Sequence, residues 1–280
     1  TPRTLFPYTT LFRSILILKL LLGGDILDVN RLLHLATYAG MIMLQSGAEI
    51  YRVEETICRI CESYEIDEAN SFVTPTGIMV SISYKKHTYS LVKRVHVRGV
   101  HLHKIEQVND LSRRIAAFHP SFDSINEELN NIDKTPRYSL AITLLSAGCA
   151  AGFFAILFGG TFRDLIAAFF IGGFIKYLFD LFGKMSINDF FINCICAGTS
   201  AVFSILFLNL GFITNIDETI IGAIMILVPG LAITNAIRDT IAGDYLAGIT
   251  KASEAFMVAI AIAVGTGGVI SFWLKVLGGI

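Results

Sequence analysis

The sequence predicts an α-helical integral membrane protein, with five transmembrane helices preceded by a small α+β cytoplasmic domain. Three observations carry this. Hydrophobic residues make up 54% of the 280 and charged ones only 16%, where a soluble domain carries about 25% charge; mean hydropathy is +0.64. The charge is also uneven: Asp25–Arg137 holds 13 Lys/Arg and 15 Asp/Glu, whereas Tyr138–Ile280 holds 6 and 8. Finally, the second half contains five apolar runs, each near the ~20 residues that cross ~30 Å of hydrocarbon.

Residues 1–27 are expected to be a non-native or disordered leader. TPRTLFPYTTLFRS has no initiating Met and no period, and residues 1–14 resemble a translated sequencing adapter. ILILKLLLGG is about half a membrane span and lacks a small-residue cleavage site, so it does not read as a signal peptide. Residues 28–135 form the predicted α+β domain. Two helices occupy 29–64, broken near Ser46-Gly47, and Ile50, Val53, Ile57, Ile60, Cys61 and Tyr64 make an apolar stripe on the second. FVTPTGIMVSISYKKHTYSLVKRVHV reads as a hairpin or small antiparallel sheet: Ile78, Val80, Ile82 and Tyr84 alternate, as do Tyr89, Leu91, Val95 and Val97. HLHKIEQVNDLSRRIAAF supplies an amphipathic helix through Ile105, Val108, Leu111 and Ile115, and SINEELNNIDKTPR a polar linker.

The membrane part, 136–280, has spans expected near 138–159, 162–182, 189–211, 218–238 and 253–274. With the N-terminal domain inside, Arg137, Lys184, Arg238 and Lys251 fall on the cytoplasmic side and Arg163 and Lys275 on the other. This follows the positive-inside bias and puts Ile280 outside. Five scattered cysteines give no disulfide framework and suit a reduced cytosol. A net charge of −1 offers no clustered positive surface for nucleic acid.

Chemistry concentrates in ILVPGLAITNAIRD. Pro229 lacks an N–H, and with Gly230 it breaks a helix at membrane depth, a feature tolerated only within protein or beside a wet cavity. Transporters hold solutes at such breaks; a plain kink is the alternative. Asn235, Arg238 and Asp239 then share one helical face, with Asp244 close behind. They line a polar path, or Arg238 and Asp239 merely mark the inner end of the span. Lys176 and Asp180 are one turn apart in the second span, placed for gating or coupling or for a structural ion pair between spans. Asp189 and Glu254 read as acids at helix starts. Small residues in SAGCAAG and AIAVGTGG predict close helix packing and a partner. Cys58-x-x-Cys61 is a single pair, and His96, His101 and His103 give it no zinc spacing, so no metal and no cofactor are expected. No nucleotide-binding, hydrolase or metalloprotease motif is present, and the chain does not read as an enzyme.

LQSGAEIYRVEETICRI, FVTPTGI, KIEQVNDLSRRI and VPGLAITNAIRDTIAGDYLAGITKASEA together resemble the threonine/serine exporter family, in its N-terminal-type five-span subunit, over about residues 28–275. The resemblance implies a bacterial inner-membrane exporter subunit for small polar metabolites: threonine and serine, or a dicarboxylate such as succinate. It implies a second five-span half as partner, fused or separate. Arg238 then suits a substrate carboxylate, while Asp239 or Asp244 binds an amino group or carries a coupling proton. Gly47, Glu49, Arg52 and Glu54 match the family's N-terminal motif and read as a gate or docking surface. The competing class is a membrane-anchored sensor or binding protein acting through its N-terminal domain.

Overall fold

The computed structural model describes residues 28–96, 99–136, 138–185, 187–276 and 278. Residues 1–27, expected to be a leader, together with Val97, Arg137 and Ile280 lie outside them.

The N-terminal region begins with helices α1 (Val29–Gln45) and α2 (Ile50–Glu62), followed by strands β1 (Glu68–Thr74), β2 (Gly77–Tyr84) and β3 (His87–Arg94). The strands form one antiparallel sheet with β2 central; Ser71 faces Val80, and Val80 faces Leu91. Alternation sorts the faces: Ile78, Val80 and Ile82 are buried, whereas Met79, Phe72 and Val92 look outward. Most of the predicted α2 stripe is buried, Ile50, Val53, Ile57, Ile60 and Cys61 being almost fully enclosed, while Tyr64 falls past the end of the helix and is half-buried. Helix α3 (Leu102–Phe118) closes the core with Val108, Leu111 and Ile115.

The expected linker is instead a helix, α4 (Phe122–Asp133). Ile125, Leu129 and Ile132 recur at helical spacing and are buried against the same core, and Ser121 caps the start. Its polar residues cover the outer face of an amphipathic helix, so composition alone misled.

Among the described residues, four helices are long and apolar enough to cross a membrane: α5 (Leu140–Leu157), α6 (Phe162–Lys184), α7 (Asp189–Asn209) and α10 (Tyr245–Val276). The first three match the predicted spans to within a few residues. The last begins about two turns earlier than predicted, which puts Glu254 inside the helix rather than at its start. Predicted span 218–238 is not one helix. It is split into α8 (Ile216–Ile224) and α9 (Gly230–Ala242), separated by a turn over Met225–Val228 and by Pro229 at the start of α9.

Close packing uses small residues as expected. At Gly265 a Cβ would collide with the Cys194 carbonyl, so α7 and α10 approach at backbone distance there. Buried Asp164 ties the α5–α6 and α7–α8 connections together. Its carboxylate accepts from the Thr161 amide at 2.7 Å, the Thr214 amide at 3.3 Å and the Thr219 hydroxyl at 3.3 Å.

Candidate functional site

The site is a seam where the α1–α2 turn meets α9 and the start of α10. Gly47 makes the turn possible, with φ +87°, and a Cβ there would lie 2.9 Å from the Gly99 carbonyl. The β3–α3 connection clamps the turn from one side: the amides of Gly99 and His101 donate to Gln45 O (2.9 Å) and Ser46 O (3.0 Å). Helix α9 and Lys251 of α10 hold it from the other.

Four side chains make that second contact. Asn235 donates its amide to Gly47 O at 2.9 Å, and Arg238 Nη1 reaches Glu49 Oε1 at 2.6 Å. Asp239 accepts the Ile50 amide at 3.0 Å through Oδ1 and the Lys251 ammonium at 2.7 Å through Oδ2. Lys251 also reaches Ala48 O at 3.4 Å. The first amides of a helix have no intrahelical acceptor and carry the positive end of its dipole. Glu49 precedes α2 without capping it by its side chain, so Asp239 caps α2 from another helix. Asp239 is fully buried and Lys251 is 8% exposed. Burying such charges is tolerable only because each meets an opposite charge and hydrogen bonds.

The structure thus brings Gly47, Glu49, Asn235, Arg238 and Asp239 into one place, with Arg52 beside them. Arg52 Nη1 lies 3.3 Å from Glu49 Oε2, so one carboxylate serves two guanidinium groups. Pro229 and Gly230 start α9 one to two turns before Asn235. Half-buried Asp244 follows the αL turn at Gly243; burial, then the Asp239 charge, push its carboxyl up, while Lys251 pulls against them. Glu54 turns away, accepting the Val73 amide at 2.7 Å. Burial raises its pKa against that hydrogen bond. Lys176 and Asp180 are distant in role: they pair at 2.7 Å within α6, not between spans, with Lys176 Nζ 5.4 Å from the Phe179 ring.

Two cavities open on the seam. One, of about 570 Å³, is bounded by Glu49, Arg52, Asn109, Arg113, Asn235 and Arg238. The other, of about 1280 Å³, runs beside Pro229, Asn235, Lys251, the α6–α7 connection and His96. The remaining sequence candidates have local duties. Cys58 Sγ lies 3.6 Å from Ala69 O, and burial pushes the Cys61 thiol up to about 12. His101 caps α3, and His103 meets Glu106. Among the described residues no group of three or more His, Cys, Asp or Glu is placed to hold a metal.

Sequence reasoning missed Lys251, which it read only as a positive charge in an inner loop. The available signal was a lysine at the head of an apolar run, 12 residues after Asp239, an acid likewise set in an apolar stretch.

Burial would push the Glu49 carboxyl up, but its own backbone amide, Arg238 and Arg52 outweigh that and hold it below its ordinary 4.5. A depressed carboxylate pKa stabilises the fold above the unfolded value, and that stability is lost as pH falls through the folded one. Glu49→Gln is therefore expected to lower thermal stability at pH 7 by about 1–2 kcal/mol, the exposure of Arg238 screening the pair. Melting in detergent from pH 7 downward checks this: the gap between wild type and variant should close below about pH 4.5, and a constant gap would contradict it.

The sequence is 23% identical over 243 residues to "Probable succinate transporter subunit YjjP" of Escherichia coli (strain K12), covering 86% of this chain and 94% of that protein. It is 24% identical over 250 residues to "Probable threonine/serine exporter" of Mycobacterium tuberculosis (strain ATCC 25618 / H37Rv). That match covers 87% of this chain and 46% of the relative, so the chain spans about half of it. No solved structure matches. Residues 34–273 match the family described as "Putative threonine/serine exporter", and the chain belongs to the threonine/serine exporter family.

Proposed function

We propose that this chain is one subunit of a secondary exporter in the bacterial inner membrane. Its substrate is a small polar metabolite bearing a carboxylate, either a threonine/serine-type amino acid or a dicarboxylate such as succinate. The observation that carries this reading is the seam itself. A helix broken at Pro229 presents Asn235 and Arg238 to a cavity, and the Arg238 side chain stays 59% exposed although Glu49 holds it. A guanidinium has five donors in a planar fork suited to a carboxylate, and among the described residues only one of these is used.

The topology that goes with this function has five crossings. Asp164 marks one end of α6 and α7, where α8 begins, and the seam lies by the α6–α7 connection at the other end. Segment 216–242 runs between the two, so α8 and α9 make the additional crossing in two pieces, as broken transporter helices do. The N-terminal region, residues 28–135, then lies in the cytoplasm with Arg238 and Lys251, consistent with the positive-inside bias. At about 48 Å, α10 exceeds the ~30 Å hydrocarbon layer, and its first turns extend into the seam. With both Asp239 oxygens occupied, Asp244 is the better carrier of a coupling proton.

The small-residue faces and the half-length match to a longer relative favour a second five-span subunit as partner. Proteoliposomes test the whole reading. Vesicles holding both subunits should exchange internal for external labelled solute, while vesicles holding this chain alone should not. Full exchange by the single chain would remove the partner. No exchange of succinate, threonine or serine by the pair would favour the membrane-anchored sensor.

A further inference from the structure

The two seam cavities share a wall. Gly47, Leu231 and Asn235 line both of them, and the Asn235 amide meets Gly47 O there at 2.9 Å. The α1–α2 turn thus stands between the cavity of about 570 Å³ on the α3 side and the one of about 1280 Å³ beside Pro229. Its bonds from the Gly99 and His101 amides tie the turn to the N-terminal region. Charges at the seam are paired within each side as well as across it. Glu49 meets Arg238 across the seam, but it also meets Arg52 of α2 on its own side. Asp239 accepts the Ile50 amide across the seam, but it also holds Lys251 on its own side. If the turn lifts from α9, Glu49 keeps Arg52 and Asp239 keeps Lys251. The released Arg238 side chain is already 59% exposed. The usual barrier to parting a buried ionic joint, a charge left desolvated and alone, is therefore absent.

We propose that the α1–α2 turn is a gate between the two cavities: Glu49 latches it to Arg238 when closed, and Arg52 holds Glu49 when the turn lifts. The closed and lifted turns are two discrete arrangements of one joint, as in other gating elements. For its cargo the gate rests on the exporter reading, which it deepens. A solute carboxylate arriving on the open fork of Arg238 sits beside the Glu49 carboxylate and repels it. Of the two anions, Glu49 is the one with another cation within reach, so the arriving solute loosens the latch. Lifting the turn then removes the wall at Gly47 and joins the polar cavity to the one beside the broken helix.

Hydrogen exchange of the full chain in lipid nanodiscs, without added solute, tests the latch. The Ile50 amide reports on it directly, because its acceptor Asp239 lies across the seam. Glu49→Gln should raise exchange over residues 48–52 by about 10-fold, the share of one charge-assisted contact. Arg52→Gln should lower it by about 2- to 5-fold, the share of one partly exposed ion pair, because the lifted turn then strands Glu49. Arg52→Lys keeps a cation for Glu49 and should return exchange toward wild type. If Arg52 instead braces the closed joint, or has no part in it, Arg52→Gln will raise exchange there or leave it unchanged. Either result would overturn the gate, as would Glu49→Gln exchanging like wild type. Failure here is separable from failure of the exporter reading, because these samples hold no solute and solute exchange by the two-subunit vesicles is measured independently.

Discussion

Lys251→Met should loosen the N-terminal region from the membrane helices while leaving each part folded. The substitution keeps the stem of the side chain and removes the ammonium that faces buried Asp239 at 2.7 Å. Breaking one side of a buried ion pair costs about 3–5 kcal/mol, because the remaining charge stays desolvated and unpaired. Asp239 would then be left buried without its cation or would draw in water, and its bond to the Ile50 amide, the cap of α2, would weaken with it. Hydrogen exchange should rise sharply at residues 46–52 and 235–240 and stay near wild type in α5 to α7. The double variant Asp239→Asn/Lys251→Met should recover part of the loss, since Asn still accepts the Ile50 amide and no lone charge is left. A double variant as damaged as the sum of its singles would mean that the two side chains are not coupled.

Arg238→Lys should reduce export by the two-subunit complex about 10- to 150-fold while the protein still inserts and folds, the range expected for one lost charge-assisted contact of about 1.5–3 kcal/mol. Lysine keeps the positive charge at the end of α9 and can still meet Glu49, but it loses the planar fork that a substrate carboxylate would share. Two roles are separated by this variant. If Arg238 only fastens the seam through Glu49, or only anchors topology, lysine serves nearly as well and export stays close to wild type. Initial-rate uptake into inverted vesicles, with protein level and melting temperature measured alongside, decides between them.

The two variants also show which parts of the site could be read in advance. Pro229-Gly230 announced a broken helix because the missing N–H is a local property of proline that no tertiary context restores. Asn235, Arg238 and Asp239 could be grouped because i, i+3 and i+4 share a helical face wherever that helix lies. Likewise the α2 stripe and the alternation in β2 were legible, since both periods are properties of the backbone. The acceptors were not legible. Glu49 and Arg238 are 189 residues apart, as are Ile50 and Asp239, and no period links positions so far separated in sequence. Lys251 and Asp239 are only 12 apart, yet the reversal at Gly243 that brings them together turned a predicted loop charge into a buried partner. Helix α4 was hidden because its three buried residues are outnumbered by polar ones that only look like a linker.

By itself, then, the sequence determined the division into a charged first part and an apolar second part, the helical and strand periods, and the placement of polar groups at a break in one apolar run. Each follows from the solvent preference of side chains or the fixed geometry of a few neighbouring peptides. Tertiary structure alone decided that Asp239 caps α2, that Lys251 is its buried partner, and that one carboxylate is shared by Arg52 and Arg238. Those outcomes depend on which surfaces meet. A buried charge takes whatever opposite charge or backbone donor the packing brings within about 3 Å, and that partner is chosen by the whole chain rather than by its neighbours in sequence.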